Sequence, residues 1–175
     1  LLTDGIKYTY KDSKGFMWFT FEAGFQRWDG YEAKNYAYLT DTSINQAYRF
    51  CRPILEDKKG NFFIGTLHNG LIKLDRKTDT YIRYEHDPQN TEHSMRGHGV
   101  HEMFLDTNGI IWLGTFECLT RFDPDSETFR NFIVNPEERY DPRNITKSVL
   151  RDSEGVLWGG TSNGLYILDE SSDSL

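Results

Sequence analysis

The 175-residue chain, 20.5 kDa, is long enough for one domain or part of a larger one. Lys and Arg number 20 against 27 Asp and Glu, a formal net charge of -7 with no basic stripe, so no nucleic-acid partner is expected. A hydrophobic content of 37% argues against disorder, and apolar runs no longer than Gly109-Ile-Ile-Trp-Leu-Gly114 leave no room for a transmembrane helix or direct membrane insertion by this segment.

The N-terminal Leu1-Leu-Thr-Asp-Gly5 lacks the basic start and apolar run of a signal peptide, so any export signal is expected outside these residues. A first strand then runs into the turn Asp12-Ser-Lys-Gly15. A second strand carries Trp18 and Thr20-Phe21, Gly24 turns the chain, and Phe25-Gln-Arg-Trp-Asp29 forms a third strand, with a fourth to follow. The order recurs at Asp57-Lys-Lys-Gly60, Phe63, Gly65-Thr66, Gly70, Leu71-Ile-Lys-Leu-Asp75 and the aromatic strand Tyr81-Ile-Arg-Tyr84. It recurs again from Val100 into Asp106-Thr-Asn-Gly109, then Trp112, Gly114-Thr115, Cys118, Leu119-Thr-Arg-Phe-Asp123 and Phe129-Arg-Asn-Phe132. The last copy is Asp152-Ser-Glu-Gly155, Trp158, Gly160-Thr161, Gly164 and Leu165-Tyr-Ile-Leu-Asp169. Its tail from Glu170 to Leu175 is too short and polar for a fourth strand.

The turn glycines Gly15, Gly60, Gly109 and Gly155 recur at intervals of 45, 49 and 46 residues. Asp bonds the backbone two residues on and Gly accepts a positive φ, so each D-x-x-G is a hairpin turn. Four short strands per repeat match the period of a propeller blade, and no segment shows a sustained helical period. The chain is therefore expected to be all-β: four four-stranded antiparallel blades, the last incomplete, from repeats at about 1–45, 46–94, 95–143 and 144–175. One blade cannot bury both faces of its sheet, so a segment of a larger propeller is expected, with a four-bladed ring closed by dimer exchange as the alternative.

The pattern D-x-x-G-x-x-W-x-G-T-x-x-G-L-x-x-x-D resembles the two-component regulator propeller repeat over essentially the whole chain, most closely from Asp152 to Leu165. Trp28-Asp29-Gly30-Tyr31 resembles that family's opening blade. Phe63 in place of Trp, Thr20-Phe21 in place of Gly-Thr and Cys118 in place of the turn glycine depart from it. The family forms the periplasmic sensor region of bacterial hybrid two-component systems, many in gut Bacteroides. Full-length relatives add further propeller and β-sandwich modules, a membrane helix and a histidine kinase. The resemblance thus implies a periplasmic, non-catalytic sensing segment of an inner-membrane receptor. It also implies oligosaccharide ligands, other blades and domains of the same receptor as partners, and a homodimeric ectodomain.

The repeated Asp12, Gly15, Trp18, Asp57, Gly60, Phe63, Asp106, Gly109, Trp112, Asp152, Gly155 and Trp158 read as scaffold, because a scaffold demands uniformity. The Asp turns resemble the Asp-box of sialidases only superficially, since Gly follows Asp here by three residues rather than two. Residues that vary between repeats are the better site candidates. Loops preceding each first strand offer Arg49, Arg52, Arg96, His98, His101, Arg143 and Lys147. Turns between second and third strands offer Glu22, His68, Asn69, Glu117 and Asn163. Both loop sets fall on one face of a propeller, where planar polar groups and aromatics suit a sugar. His93, His98 and His101 lie close in sequence but lack metal-ligand spacing, so no metal, and no cofactor, is expected. Cys51 and Cys118 fit neither a disulfide framework nor a zinc site. Two other readings stand beside the sensor: a propeller enzyme using His98, His101 and Glu117, and a protein-interaction scaffold marked by an exposed apolar patch.

Overall fold

The computed structural model describes residues 5–22, 24–36 and 51–170. Their fifteen strands form four separate antiparallel sheets, each a simple meander. Blade one holds β1 (Tyr8–Lys11), β2 (Met17–Phe21), β3 (Gly24–Trp28) and β4 (Ala33–Tyr36). Blade two holds β5 (Cys51–Glu56), β6 (Phe62–Thr66), β7 (Leu71–Asp75) and β8 (Thr80–Tyr84). Blade three holds β9 (Val100–Leu105), β10 (Ile111–Thr115), β11 (Leu119–Asp123) and β12 (Thr128–Phe132). Blade four has three strands among the described residues, β13 (Thr146–Arg151), β14 (Leu157–Thr161) and β15 (Gly164–Leu168). The first strands of successive blades pack against one another, which places β1, β5, β9 and β13 innermost, around the channel. Among the described residues no helix is long and apolar enough to cross a membrane.

Every D-x-x-G turn is built alike. One carboxylate oxygen of Asp106 accepts the N–H groups of Asn108 and Ile110 at 2.8 and 3.0 Å, and its other oxygen accepts the Trp112 indole N–H at 3.3 Å. Gly109 closes the turn onto the Asp106 carbonyl at φ 90°, a conformation that costs glycine least. Asp12 with Trp18 and Asp152 with Trp158 repeat the arrangement. Blade two has Phe63, which has no N–H to give, and there Asn61 supplies the donor to Asp57 at 2.8 Å. The departure at Phe63 is thus compensated two residues upstream.

The Gly-Thr pair also has a physical reason. A Cβ on Gly65 would sit 2.9 Å from Val100 of the next blade, and one on Gly114 would sit 2.8 Å from the Thr146 carbonyl oxygen. Only glycine lets the next innermost strand approach so closely. Blade one instead has Thr20, whose hydroxyl donates to the Arg52 carbonyl at 3.0 Å. The threonines close the following turn: Thr66 and Thr115 donate their hydroxyls to the carbonyls of Gly70 and Cys118.

Three apolar cores lie between blades. Trp18 and Phe25 of blade one pack on Ile54, Phe62 and Ile64. Leu55 and Phe63 of blade two pack on Met103, Ile111 and Leu113, and Trp112 of blade three packs on Val149 and Leu157. Arginines clamp two of the junctions. Arg76 of blade two reaches Asp12 at 3.2 Å and Glu56 at 3.4 Å, and Arg151 of blade four reaches Asp106 at 3.5 Å. On blade four the Trp158 side of the sheet exposes Leu150, Leu165 and Ile167. That is the side which, in blades one to three, the following blade covers. Cys51 and Cys118 are buried and unpaired with each other, and burial pushes the Cys51 thiol up to about 12.

Candidate ligand-binding site

The connection 85–99 folds back over the outer strand of blade three, and the connection 133–145 reaches the β10–β11 turn through Arg139. The first is held by Phe129 N–H donating to the Glu92 carbonyl at 2.7 Å and by the Ser94 hydroxyl donating to the Asp87 carbonyl. The second is pinned by Asn144, whose amide donates to the carbonyls of Asn135 and Glu138, both at 2.8 Å. Between the two loops opens a cavity of about 580 Å³, lined among others by His86, Met95, Arg96, Glu117, Phe129 and Arg139. This volume suits a small organic ligand such as a short saccharide.

Glu117 ties the cavity together. It sits in the β10–β11 turn with 4% of its side chain exposed and accepts two hydrogen bonds from the Arg139 guanidinium, both 2.8 Å. Such a bidentate pair is strong and directional. Arg96 comes from the other loop, with its Nε 3.9 Å from the same carboxylate. That Nε is buried without a hydrogen-bond partner among the described residues. Asn131 on β12 seats Arg96 by accepting its backbone N–H at 3.1 Å, and Gly97 lies against Glu117, where a Cβ would come within 3.1 Å. One carboxylate thus holds two arginines from two loops, a cationic wall beside the Phe129 ring. Donors of this kind bind sugar hydroxyls or carboxylates and supply no nucleophile.

The candidates named from sequence do not form one site. Arg96 and Glu117 line the cavity. Arg52 and His101 lie on innermost strands at the channel, with Lys147. Arg143 is exposed and paired with Asp141 at 2.6 Å, away from the cavity lining. His68 is exposed and Asn69 buried in the blade-two turn, whose Gly70 donates its N–H to the His98 carbonyl at 2.8 Å. Glu22 pairs with Lys7 at 2.9 Å in the blade-one turn, and Asn163 is exposed in that of blade four. Arg49 lies outside the described residues. The histidines close in sequence part company. The His93 ring meets the Glu127 carbonyl, His98 stands edge-on to His86, and His101 packs on Phe116 at 4.0 Å between ring centroids. Glu117 is bound to arginines rather than to either candidate histidine. Among the described residues no three His, Cys, Asp or Glu side chains gather closely enough to hold a metal ion. Arg139, Asn131 and His86 had no signal in the repeat, because they come from loops and an outer strand that the repeat does not fix.

Burial, then the charges of Arg52 and Lys147, lowers the His101 imidazole to about 4. Below pH 6.5 an unfolded chain binds a proton that the folded His101 refuses, so stability falls with pH between 6.5 and 4. Asp141, held low by Arg143 and Asn135, and Asp152, held low by Trp158, add a second loss below the usual carboxylate range. The thermal midpoint is expected to be level above pH 7, to fall from 6.5 toward 4, and to fall again below. His101→Gln should flatten the upper limb; a wild-type midpoint unchanged between pH 7 and 4.5 would contradict this.

No protein-family model matches the chain, and no curated protein is significantly similar to it. Solved structures are similar throughout its length. The extracellular domain of a hybrid two-component system of B. thetaiotaomicron matches with a TM-score of 0.75 and 19% identity over 95% of this chain and 22% of that one. The chain is a segment of a β-propeller. A second such extracellular domain from B. thetaiotaomicron gives a TM-score of 0.69 at 17% identity over 99% of the propeller segment and 30% of that chain. Virginiamycin B lyase of Staphylococcus aureus gives 0.71 at 16% identity over 98% of the segment and 55% of that chain. The segment thus spans about a fifth to a third of the length of the two-component ectodomains and about half that of the lyase.

Proposed function

We propose that this propeller segment is a non-catalytic, ligand-sensing part of the periplasmic region of a two-component receptor, and that its ligand is an oligosaccharide. The observation that carries this reading is the loop-built cavity in which Glu117 presents Arg96 and Arg139 beside Phe129. A preformed concave site with few convergent polar groups is what a small ligand needs. The likeness to two extracellular domains of hybrid two-component systems supports the receptor context. Leu150, Leu165 and Ile167 on the free side of blade four give further blades of the same receptor a surface to stack on.

A ligand bridging the two loops would favour one arrangement of them. That difference in affinity between arrangements is what could be passed through a receptor dimer to a kinase. Titration calorimetry of the full chain with a panel of plant and host oligosaccharides tests this. Binding by at least one saccharide is expected, weakened about tenfold or more by Arg96→Ala combined with Arg139→Ala, the loss of two charged hydrogen-bond donors. Equal affinity in the double variant would remove the cavity from the proposal. Turnover of a saccharide or lactone would favour the lyase-like enzyme instead.

A further inference from the structure

One position carries a basic residue in all four blades. Five residues before each turn aspartate stand Lys7, Arg52, His101 and Lys147, ahead of Asp12, Asp57, Asp106 and Asp152. The equivalence places one of them at the start of each innermost strand, at the channel end that faces the inter-blade loops. A scaffold role does not account for it, because three chemically different basic side chains fill the position and Lys7, Arg52 and Lys147 are exposed. In a chain of net charge -7, four basic groups at one repeat position are a local reversal of sign.

The surroundings leave this ring short of negative charge. Lys7 has a partner, Glu22 at 2.9 Å. Arg52 and Lys147 form no ion pair among the described residues. His101 lies between them, on β9 between β5 and β13, and both cations act on it. Among the described residues its Nε2 is buried without a hydrogen-bond partner, and the Phe116 ring packs on the imidazole. The other elements packed on β9, namely β6 and β10, bring no charged side chain. Within β9, Glu102 binds the Met103 N–H at 2.9 Å, and its charge acts on Tyr8 of blade one. A buried nitrogen without a partner is costly, and two neighbouring cations oppose its protonation. An anion among them would offset the charges of Arg52 and Lys147 and so favour the protonated ring.

We propose that Arg52, His101 and Lys147, with Lys7 at the edge of the ring, form an anion-binding site at the channel mouth that takes a carboxylate or sulfate group of an acidic saccharide. On docking, the His101 ring takes one proton from solvent and, as an imidazolium, faces the anion beside Arg52 and Lys147, so binding between the free and the raised midpoint consumes a proton. The site deepens the saccharide-sensing reading by naming a charged class of ligand, and it rests on that reading. It is separate from the Arg96–Glu117–Arg139 cavity, so the two can be tested apart.

The experiment is nitrogen-15 NMR of the His101 ring in the full chain, assigned with His101→Gln, together with calorimetry in buffers of different ionisation enthalpy. The probes are a uronic-acid trisaccharide, its sulfated neutral-sugar analogue and its carboxyl-reduced neutral counterpart. The expected result is a His101 midpoint raised by at least about one pH unit above its free value near 4 by an acidic probe, with proton uptake at pH values between the free and the raised midpoint. Which of the two acidic probes acts identifies the anion as carboxylate or sulfate. Arg52→Gln with Lys147→Gln should weaken that probe about tenfold or more, and should by itself raise the His101 midpoint in the free protein. Both residues are exposed, so the variant is expected to fold. An unmoved His101 midpoint while an acidic probe binds, or unchanged affinity in the double variant, overturns the proposal. A neutral trisaccharide bound as tightly as the acidic one, with His101 unmoved, overturns the ring and leaves saccharide sensing standing. Binding of none of the probes and no saccharide of the wider panel overturns both.

Discussion

Trp112→Ala is expected to cost the fold about 3–5 kcal/mol, the range for deleting a buried Trp or Phe ring. Trp112 is fully buried and faces Val149 and Leu157 of the next blade, with Phe132 6.0 Å away between ring centroids. Its indole N–H also satisfies one carboxylate oxygen of Asp106. The truncation therefore opens a void at a blade junction and strips a donor from a buried acceptor at once. Typical domains have about 5–15 kcal/mol in total, so the variant would sit near the unfolding threshold at 37 °C. Urea unfolding measures the loss. Trp158→Ala is the control: Trp158 keeps the bond to its own Asp152 but lies only partly buried on the free side of blade four. It should lose markedly less. Equal losses at the two positions would mean that the rings act within their own blades and not as wedges between them.

Asp106→Ala comes next, at about 3–5 kcal/mol, the range for breaking a buried ion pair by removing one partner. The Asp106 carboxylate accepts two backbone N–H groups and the indole, and it pairs with Arg151 of blade four, whose side chain is 18% exposed. Removing it leaves those donors buried and a guanidinium short of one partner, although Arg151 keeps Glu170 at 2.6 Å. The matched comparison is Asp57→Ala. Asp57 makes the same backbone bonds, but its outer oxygen meets the Asn61 amide and no ion pair reaches it among the described residues. Loss of neutral-donor bonds to a carboxylate should cost about 1.5–3 kcal/mol, the smaller effect. A larger loss at Asp57 than at Asp106 would show that the inter-blade ion pair adds nothing.

These two positions also mark what sequence by itself determined. Asp, Gly and a large aromatic at fixed spacing carry their own local physics: a carboxylate that caps its turn, a residue free to take positive φ, a ring that must be buried. Repetition of that unit four times determined the strand order and the blades, because each of these follows from contacts within about twenty residues. The departure at Phe63 follows a local rule, with Asn61 standing in for the missing indole, whereas the Thr20 hydroxyl bonds across the blade junction to Arg52. The sites were legible only in part. Arg96 and Glu117 stood out as residues that vary between repeats, but nothing in the chain announced that Arg139, 22 residues after Glu117, would close on the same carboxylate. Nor could sequence separate His98 from His101, which lie three residues apart and yet face His86 in one case and Phe116 in the other. Those pairings depend on the paths of the connections 85–99 and 133–145. Loop paths of that kind are fixed by scattered long-range hydrogen bonds, such as Phe129 to Glu92 and Arg139 to Glu117, that have no period for a sequence to display. Tertiary structure alone decided which side chains meet, because the contacts that hold a loop are made with residues distant in the chain.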